Sequence, residues 1–372
     1  MNARERFHAI ISYQNPDRPM LSPLDAQNGV WEKLYRYFGI PVAIEGDLNR
    51  ISPRYEGLDP VSHEQFMTRA GEEFRRVGPK YIGPDLRRFD DGSWEEMWGE
   101  RYRLTQTGHG AYAETCYLPF ADIADVRDME GLRLPSADWF DYSDIKEQCE
   151  GYAEHVILTE SSGTADFING IAFSRGVEQV FIDIALEEPV YLYLVEKRFA
   201  FFYEKIERTL KAAGGLIDLV RFGEDLGTQL GPIISPAKFE KLFAPLYKRF
   251  FAMVHSYGAK TMLHSCGSVR AFIPILIDIG LDILDVIHVD AAGMDLEELH
   301  RDFYKQIAFC GSMSVQSLLP NGTPEEITEA VAMRKELFSD GGIIIGPSNI
   351  MQVDMPTENF IAMCRAIGCM ES

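Results

Sequence analysis

The segments Leu216-Ile217-Asp218-Leu219-Val220-Arg221-Phe222, then Ser235-Pro236, then Lys260-Thr261-Met262-Leu263 decide the fold. The first and last are short, mostly apolar and bounded by polar residues, the pattern of buried strands. Between them Ser235 offers a helix cap, Pro236 suits the first helical position, and Tyr257-Gly258 closes the helix. Phe239, Leu242, Phe243, Leu246 and Phe250 form its buried face, and Pro245 predicts a kink within it. A strand, a helix and a second strand in this order imply parallel pairing through a right-handed crossover.

The same unit recurs along the chain. Strands are expected at 155–159, 216–222, 260–263, 282–288, 306–309 and 342–345. Thr323-Pro324-Glu325-Glu326 reads as a capping box, with Asp340-Gly341-Gly342 ending that helix. Residues 2–13 read as a short amphipathic helix, capped by Asn2 with Glu5 three residues on and stopped by Pro16-Asp17-Arg18-Pro19. The stretch 20–150 mixes short apolar runs with many prolines and glycines, and is expected to hold a first strand followed by extended or mixed structure. Six strands after residue 155, with room for two before, favour an α/β fold closed as a (β/α)8 TIM barrel over an open doubly wound sheet. The expectation is one domain over 1–372, elaborated across about residues 1–150. No G-x-G-x-x-G follows a strand, which argues against dinucleotide binding.

Composition narrows the function classes. At 372 residues and 46% hydrophobic content the chain can bury a large core. With 57 acidic against 36 basic residues the net charge is −21, which repels phosphate backbones and anionic lipid, so no nucleic-acid or membrane partner is expected. No apolar run approaches the roughly 20 residues of a membrane helix. The first residues, Met1 to His8, open on charges and lack an apolar signal core. The six cysteines show no disulfide framework, and the expected location is a reducing cytoplasm.

In a parallel barrel the chemistry sits where strands end and loops begin. The residues at those ends are Glu160 and Ser161, Glu224 and Asp225, His264 and Cys266, His288, Cys310, then Ser348 and Asn349. His264-Ser265-Cys266-Gly267 is the sharpest local signal. In an extended segment the side chains of His264 and Cys266 project to one side, and imidazole nitrogen and thiolate are preferred zinc ligands. Cys310 is the candidate third ligand, with an oxygen from Glu224 or Asp225 as the alternative. The competing reading is a core thiol beside a hydrogen-bonded histidine. Glu224 and Asp225 are candidate catalytic groups, and Glu160, His288, Ser348 and Asn349 candidate substrate contacts. Asp85, set after Tyr81-Ile82-Gly83-Pro84, is a further candidate catalytic acid if it points into a cleft; beside Arg87 and Arg88 it could equally be a surface ion pair.

Several segments together resemble the uroporphyrinogen decarboxylase superfamily. They are Arg4-Glu5-Arg6-Phe7 leading into Asn15-Pro16-Asp17-Arg18-Pro19, then Phe222-Gly223-Glu224-Asp225-Leu226-Gly227-Thr228-Gln229, then His264-Ser265-Cys266-Gly267-Ser268. Phe309-Cys310-Gly311-Ser312, Leu319-Pro320-Asn321-Gly322-Thr323 and Pro356-Thr357-Glu358-Asn359 complete the likeness. The resemblance implies an eight-stranded barrel and one of two chemistries. True decarboxylases bind substrate carboxylates through two arginines near the N-terminus. The matching region, Arg18-Pro19-Met20-Leu21-Ser22-Pro23-Leu24-Asp25-Ala26-Gln27-Asn28-Gly29, lacks both motif arginines, while Asp85 could stand where the decarboxylase aspartate stands.

The other branch, the cobamide-dependent methyltransferases, resembles the chain at His264-Ser265-Cys266. There the resemblance implies a zinc ion that holds an acceptor thiol as thiolate, and a corrinoid on a partner protein as methyl carrier. That branch takes its third ligand from a cysteine where this sequence has Asn349, which leaves three expectations: Cys310 replaces it, Glu224 replaces it, or the metal is absent. The leading expectation is therefore a zinc-dependent methyltransferase that moves a methyl group between a corrinoid protein and a small thiol or pterin. A decarboxylase, of porphyrin biosynthesis or of a smaller substrate, is the alternative, and a barrel that binds without catalysis is the third reading. The partners expected are a small-molecule substrate, the corrinoid protein and, as a homodimer, a second copy of the chain.

Overall fold

The computed structural model describes residues 1–42, 58–107 and 110–370. Seven parallel strands follow one another in chain order around a curled sheet: β1 (Phe74–Val77), β2 (Val156–Ala165), β3 (Leu219–Gly223), β4 (Lys260–His264), β5 (Ile283–Ile287), β6 (Ala308–Met313) and β7 (Ile343–Pro347). The six strands expected after residue 155 are all present, β6 running four residues beyond its expected end. Helices lie between them, so the architecture is α/β with a seven-stranded half-barrel at its centre.

The eighth position is only partly a strand. Leu21 bridges Ile345 in parallel, with the Ser22 amide donating to the Ile345 carbonyl and the Ile345 amide to that of Met20, both at 2.9 Å. Among the described residues no bridge joins this segment to β1, so the ladder holds seven strands with this segment added at the β7 edge. Pro19 and Pro23 flank the segment and cannot donate to a ladder, which confines it to a few residues.

Side chains alternate along every strand, and the inward set divides into layers. Leu219, Met262, Ile283, Ala308 and Ile344, with Phe74 and Met20, meet in one apolar cluster floored by Phe7 and Ile10 of the helix Ala3–Ile11. Two residues further along β3, β4 and β5 the inward positions are Arg221, His264 and Asp285. The polar layer thus lies directly above an apolar floor.

Two features depart from the sequence reading. The single kinked helix expected from Ser235 to Gly258 is two helices, Pro236–Leu242 and Ala244–Ser256, because Pro245 fits the first turn of a new helix and cannot donate within an old one. The N-terminal elaboration holds two full helices, Asn28–Phe38 and Pro60–Ala70, and a three-stranded antiparallel ribbon, Trp94–Glu95, Arg101–Thr107 and Gly110–Tyr117. The helix Asn28–Phe38 has no side-chain cap, which removed its start signal from the sequence. Among the described residues no helix is long and apolar enough to cross a membrane.

Two stability predictions follow from these placements. Phe7 is fully buried beneath the strands, so Phe7→Ala is expected to destabilise the fold by about 3–5 kcal/mol in denaturant unfolding. Glu72, buried just before β1, has its carboxyl pushed up to about 8 by burial, against the pull of Arg75. A raised carboxyl pKa means the folded chain holds this proton where the unfolded chain has released it. Stability from Glu72 is therefore lost as pH rises from its unfolded pKa, near 4.5, through about 8. Glu72→Gln is expected to raise Tm by roughly 2–4 °C at alkaline pH and to leave it little changed near the unfolded carboxyl pKa.

Candidate functional site

The site is built on two loops that leave adjacent strands, and backbone packing brings them together. Gly267 has φ +78°, and a Cβ there would stand 2.6 Å from the Gly227 carbonyl; a Cβ on Gly227 would stand 2.6 Å from the Ser268 amide. Only glycines let the loop after β3 and the loop after β4 approach so closely. Hydrogen bonds then join them. The Glu224 amide donates to the His264 carbonyl at 2.9 Å, the Leu226 amide to Ser265 Oγ at 3.0 Å, and the Cys266 amide to Asp225 Oδ1 at 2.9 Å. Asn169 Nδ2 donates to the other oxygen of Asp225 at 3.0 Å.

This seam sets three donor atoms side by side. One atom each from Asp225, His264 and Cys266 lies within 4.8 Å of the others. His264 Nε2 is 3.3 Å from Cys266 Sγ, and Asn349 Nδ2 donates to the same sulfur at 3.2 Å. His264 Nδ1 is 2.9 Å from Asp285 Oδ2. An imidazole nitrogen facing a carboxylate carries a proton, so Nε2 is the nitrogen whose lone pair a metal beside Cys266 would take in place of a proton. Burial works against a charged imidazole here, but Cys266 and Asp285 outweigh it and hold the His264 pKa well above its ordinary value.

Asp285 is in turn held by Arg221, whose Nη2 and Nε reach Oδ2 at 2.7 and 3.1 Å; Arg221 Nη1 donates to Asp25 Oδ2 at 2.9 Å. Burial pushes the Asp285 carboxyl up, and the Arg221 charge with the His264 hydrogen bond overrides it, holding the group well below the usual carboxylate range. A small cavity of about 50 Å³ opens over this chain of charges, lined by Asp25, Arg221, His264, Asp285 and Asn349 among others.

The donor set suits a zinc ion. Nitrogen, sulfur and carboxylate oxygen are its usual ligands, and a tetrahedron with bonds of about 2.0–2.3 Å has edges of about 3.5 Å, close to the His264–Cys266 separation. The carboxylate on Nδ1 is the outer partner that metal-bound histidines generally have. Three protein ligands leave one position for a substrate.

The other residues singled out in the sequence fall elsewhere. Cys310 does not join the donor group. It lies mid-strand because β6 runs on to Met313, its side chain is in the apolar interior cluster, and burial beside Asp285 pushes its thiol far up, so it stays protonated. The third donor is Asp225 instead. Glu224 is buried and accepts from the Phe167 and Ile168 amides at 2.8 and 3.0 Å and from the Tyr247 hydroxyl at 2.8 Å. Its carboxylate braces the loop after β2 rather than facing the cavity.

Glu160 points to the outer face of β2, where Lys205 pairs with it at 2.8 Å. Ser348 ties the end of β7 to the loop after β6, accepting from the Val315 amide at 3.1 Å. His288 is buried at the end of β5, and neither ring nitrogen has a hydrogen-bond partner among the described residues. Asp85 is exposed beyond the short strand Lys80–Tyr81, outside the cavity, so the cleft-facing placement is corrected. Asp285, Arg221 and Asp25 were missed as site residues. The signal for the first two was a charge inside an otherwise apolar strand, Ile283-Leu284-Asp285-Val286-Ile287 and Leu219-Val220-Arg221-Phe222.

A half-barrel with this strand-end site defines a class of fold, and comparison adds what the chain is similar to. Residues 187–368 match the family model described as uroporphyrinogen decarboxylase (URO-D), the superfamily that the sequence motifs resemble. Among solved structures it is similar to a methyltransferase from Methanosarcina mazei, at 15% identity and a TM-score of 0.65, over 99% of this chain and 98% of that one. This likeness shows a shared fold along the whole chain. A 3-keto-D-glucoside 4-epimerase from E. coli matches at 11% identity and a TM-score of 0.38, over 60% of this chain and 87% of that one. No curated protein matches the sequence significantly.

The charge chain makes its own prediction. Arg221→Met leaves Asp285 and Asp25 buried or half-buried without their cation, and is expected to cost about 3–5 kcal/mol of stability. The double variant Arg221→Met with Asp285→Asn removes charge from both sides and should lose less than the sum of its single variants in denaturant unfolding.

Proposed function

We propose that the chain is a zinc-dependent methyltransferase of its superfamily, moving a methyl group between a corrinoid carried by a partner protein and a small thiol or pterin acceptor. The observation that carries this reading is the convergence of Asp225, His264 and Cys266, with Asp285 fixing the imidazole so that Nε2 turns toward the sulfur. The overall likeness to a methyltransferase from Methanosarcina mazei supports it. The barrel is proposed to close through the segment 20–22 beside β1, whose Met20 and Phe74 already share one apolar cluster.

Asp225, His264 and Cys266 would hold the metal. Bound there, zinc would keep an acceptor thiol deprotonated at neutral pH, and the thiolate is the nucleophile. The chain's own groups do the rest. Asp285 keeps the proton of His264 on Nδ1 and is itself fixed by Arg221. The Cys266 amide and Asn169 hold the Asp225 carboxylate in orientation. Asn349 donates to the Cys266 sulfur and steadies its negative charge. The decarboxylase alternative has lost the residue on which it was built, since Asp85 stands exposed outside the cavity.

Elemental analysis of the purified protein tests the reading. About one zinc per chain is expected, falling to near zero in Cys266→Ala, with methyl transfer from methylcobalamin to thiols lost in parallel. Protein that is metal-free after purification without chelator, or Cys266→Ala with full activity, would sink it.

A further inference from the structure

The charges around the cavity bear on what it can admit, and the argument rests on the metal reading above. Arg221 is the only lysine or arginine lining the cavity among the described residues, and His264, the other basic group there, is neutral when it ligates a metal. Its guanidinium is already held from two sides, by Asp25 through Nη1 and by Asp285 through Nε and Nη2. Anionic ligands are gripped by free, planar, two-pronged donors, and a guanidinium placed between two carboxylates does not offer one. Against this one positive charge stand Asp25, Asp285, Asp225 and the Cys266 sulfur, a thiolate when it ligates a metal. Even with a divalent cation bound, the cluster retains net negative charge.

Asp25 differs from the other acids in this set. Asp285 is almost wholly enclosed and Asp225 is a donor of the metal group, whereas the Asp25 side chain lines the cavity and is 18% exposed. It is held in place by β7-side backbone, the Met351 amide donating to its carbonyl at 3.0 Å. It is therefore the acid best placed to meet a substrate that reaches the donor group.

We infer that the acceptor taken by this cavity is an uncharged or cationic small molecule, an amine-bearing thiol fitting best, and that Asp25 is the residue that selects it. Carboxylate- or sulfonate-bearing thiols are rejected by the same charge. Asp25 acts on binding and not on the transferring group, so its effect appears in affinity and in KM rather than in kcat.

A charge series of equal length tests this on the cobalt-substituted full-length protein. Aminopropanethiol, mercaptopropanol and mercaptopropanesulfonate are titrated while the thiolate-to-cobalt absorption is followed. The expected order of affinity is amine, then alcohol, then sulfonate, the sulfonate at least about tenfold weaker than the amine. Asp25→Asn, nearly isosteric, should weaken the amine and tighten the sulfonate by about tenfold each, with little change for the alcohol. The wild-type series stands without the variant, so a misfolded variant does not remove the test. Sulfonate binding as tight as the amine overturns the inference and leaves the metal reading intact. A protein that takes up no cobalt, or shows no spectral change with any thiol, overturns the metal reading and this inference with it.

Discussion

A single oxygen, Asp285 Oδ2, receives Arg221 from β3 and His264 from β4 while standing on β5. The parallel register places Asp285 opposite His264 and Arg221 opposite Met262, so the guanidinium must reach along the barrel interior to the next layer. Removing such charges from water costs several kcal/mol for each ion, and the cost is offset only where geometry and partners are complete. Here they nearly are: Asp25 closes the far side of Arg221, and Cys266 meets the far side of His264. The layer below is apolar from Phe74 round to Ile344. The charged layer therefore sits at the one depth where the interior still shields it and a loop-borne donor can still reach it.

What Asp285 does for His264, the glycine-lined seam does for Asp225 and Cys266. Neither loop has a strand to hold its register. Backbone contact at Gly227 and Gly267 replaces the ladder, and the bonds from Leu226 to Ser265 and from Cys266 to Asp225 fix it. Glu224, next to Asp225, works outward, gripping the two amides that begin the helix after β2. Adjacent acids in one loop thus have opposite tasks, one facing the cavity and one locking the scaffold, because successive side chains point to opposite sides.

This division also marks how far the sequence could be read. The strands after residue 155 were legible because buried parallel strands are short apolar runs between helix caps and glycines, and both capping boxes formed as read. His264 and Cys266 were legible as a pair because both belong to one extended segment. Their third partner was legible only as one alternative behind Cys310, because Asp225 reaches them through a backbone approach that no spacing encodes. Cys310 misled because Gly311-Ser312-Met313 looks like a turn, whereas in the sheet all three are buried strand. Glu160 misled in the same way, since a strand-end acid can face outward, and here it meets Lys205. Asp85 misled because proline-bounded acids have no readable direction at all.

Asn349 is the residue at which this chain and its motif part company. A side-chain amide nitrogen donates a hydrogen bond and has no lone pair to give a metal, so the Nδ2 contact to Cys266 supports the sulfur without adding a ligand. The proposed centre then has one thiolate, one imidazole and one carboxylate. Sulfur donates more electron density than nitrogen or carboxylate oxygen, and the hydrogen bond from Asn349 draws some of it back. A metal held this way keeps more of its positive charge than one held by several thiolates. That residual charge would fall on whatever occupied the open position, while the carboxylates around Arg221 set the field beside it. In the proposed centre the ligand atom would be drawn to the metal as an anion, and the remainder of the molecule would meet negative charge. On this proposal one small site would separate the demand it makes on the reacting atom from the demand it makes on the rest of the substrate.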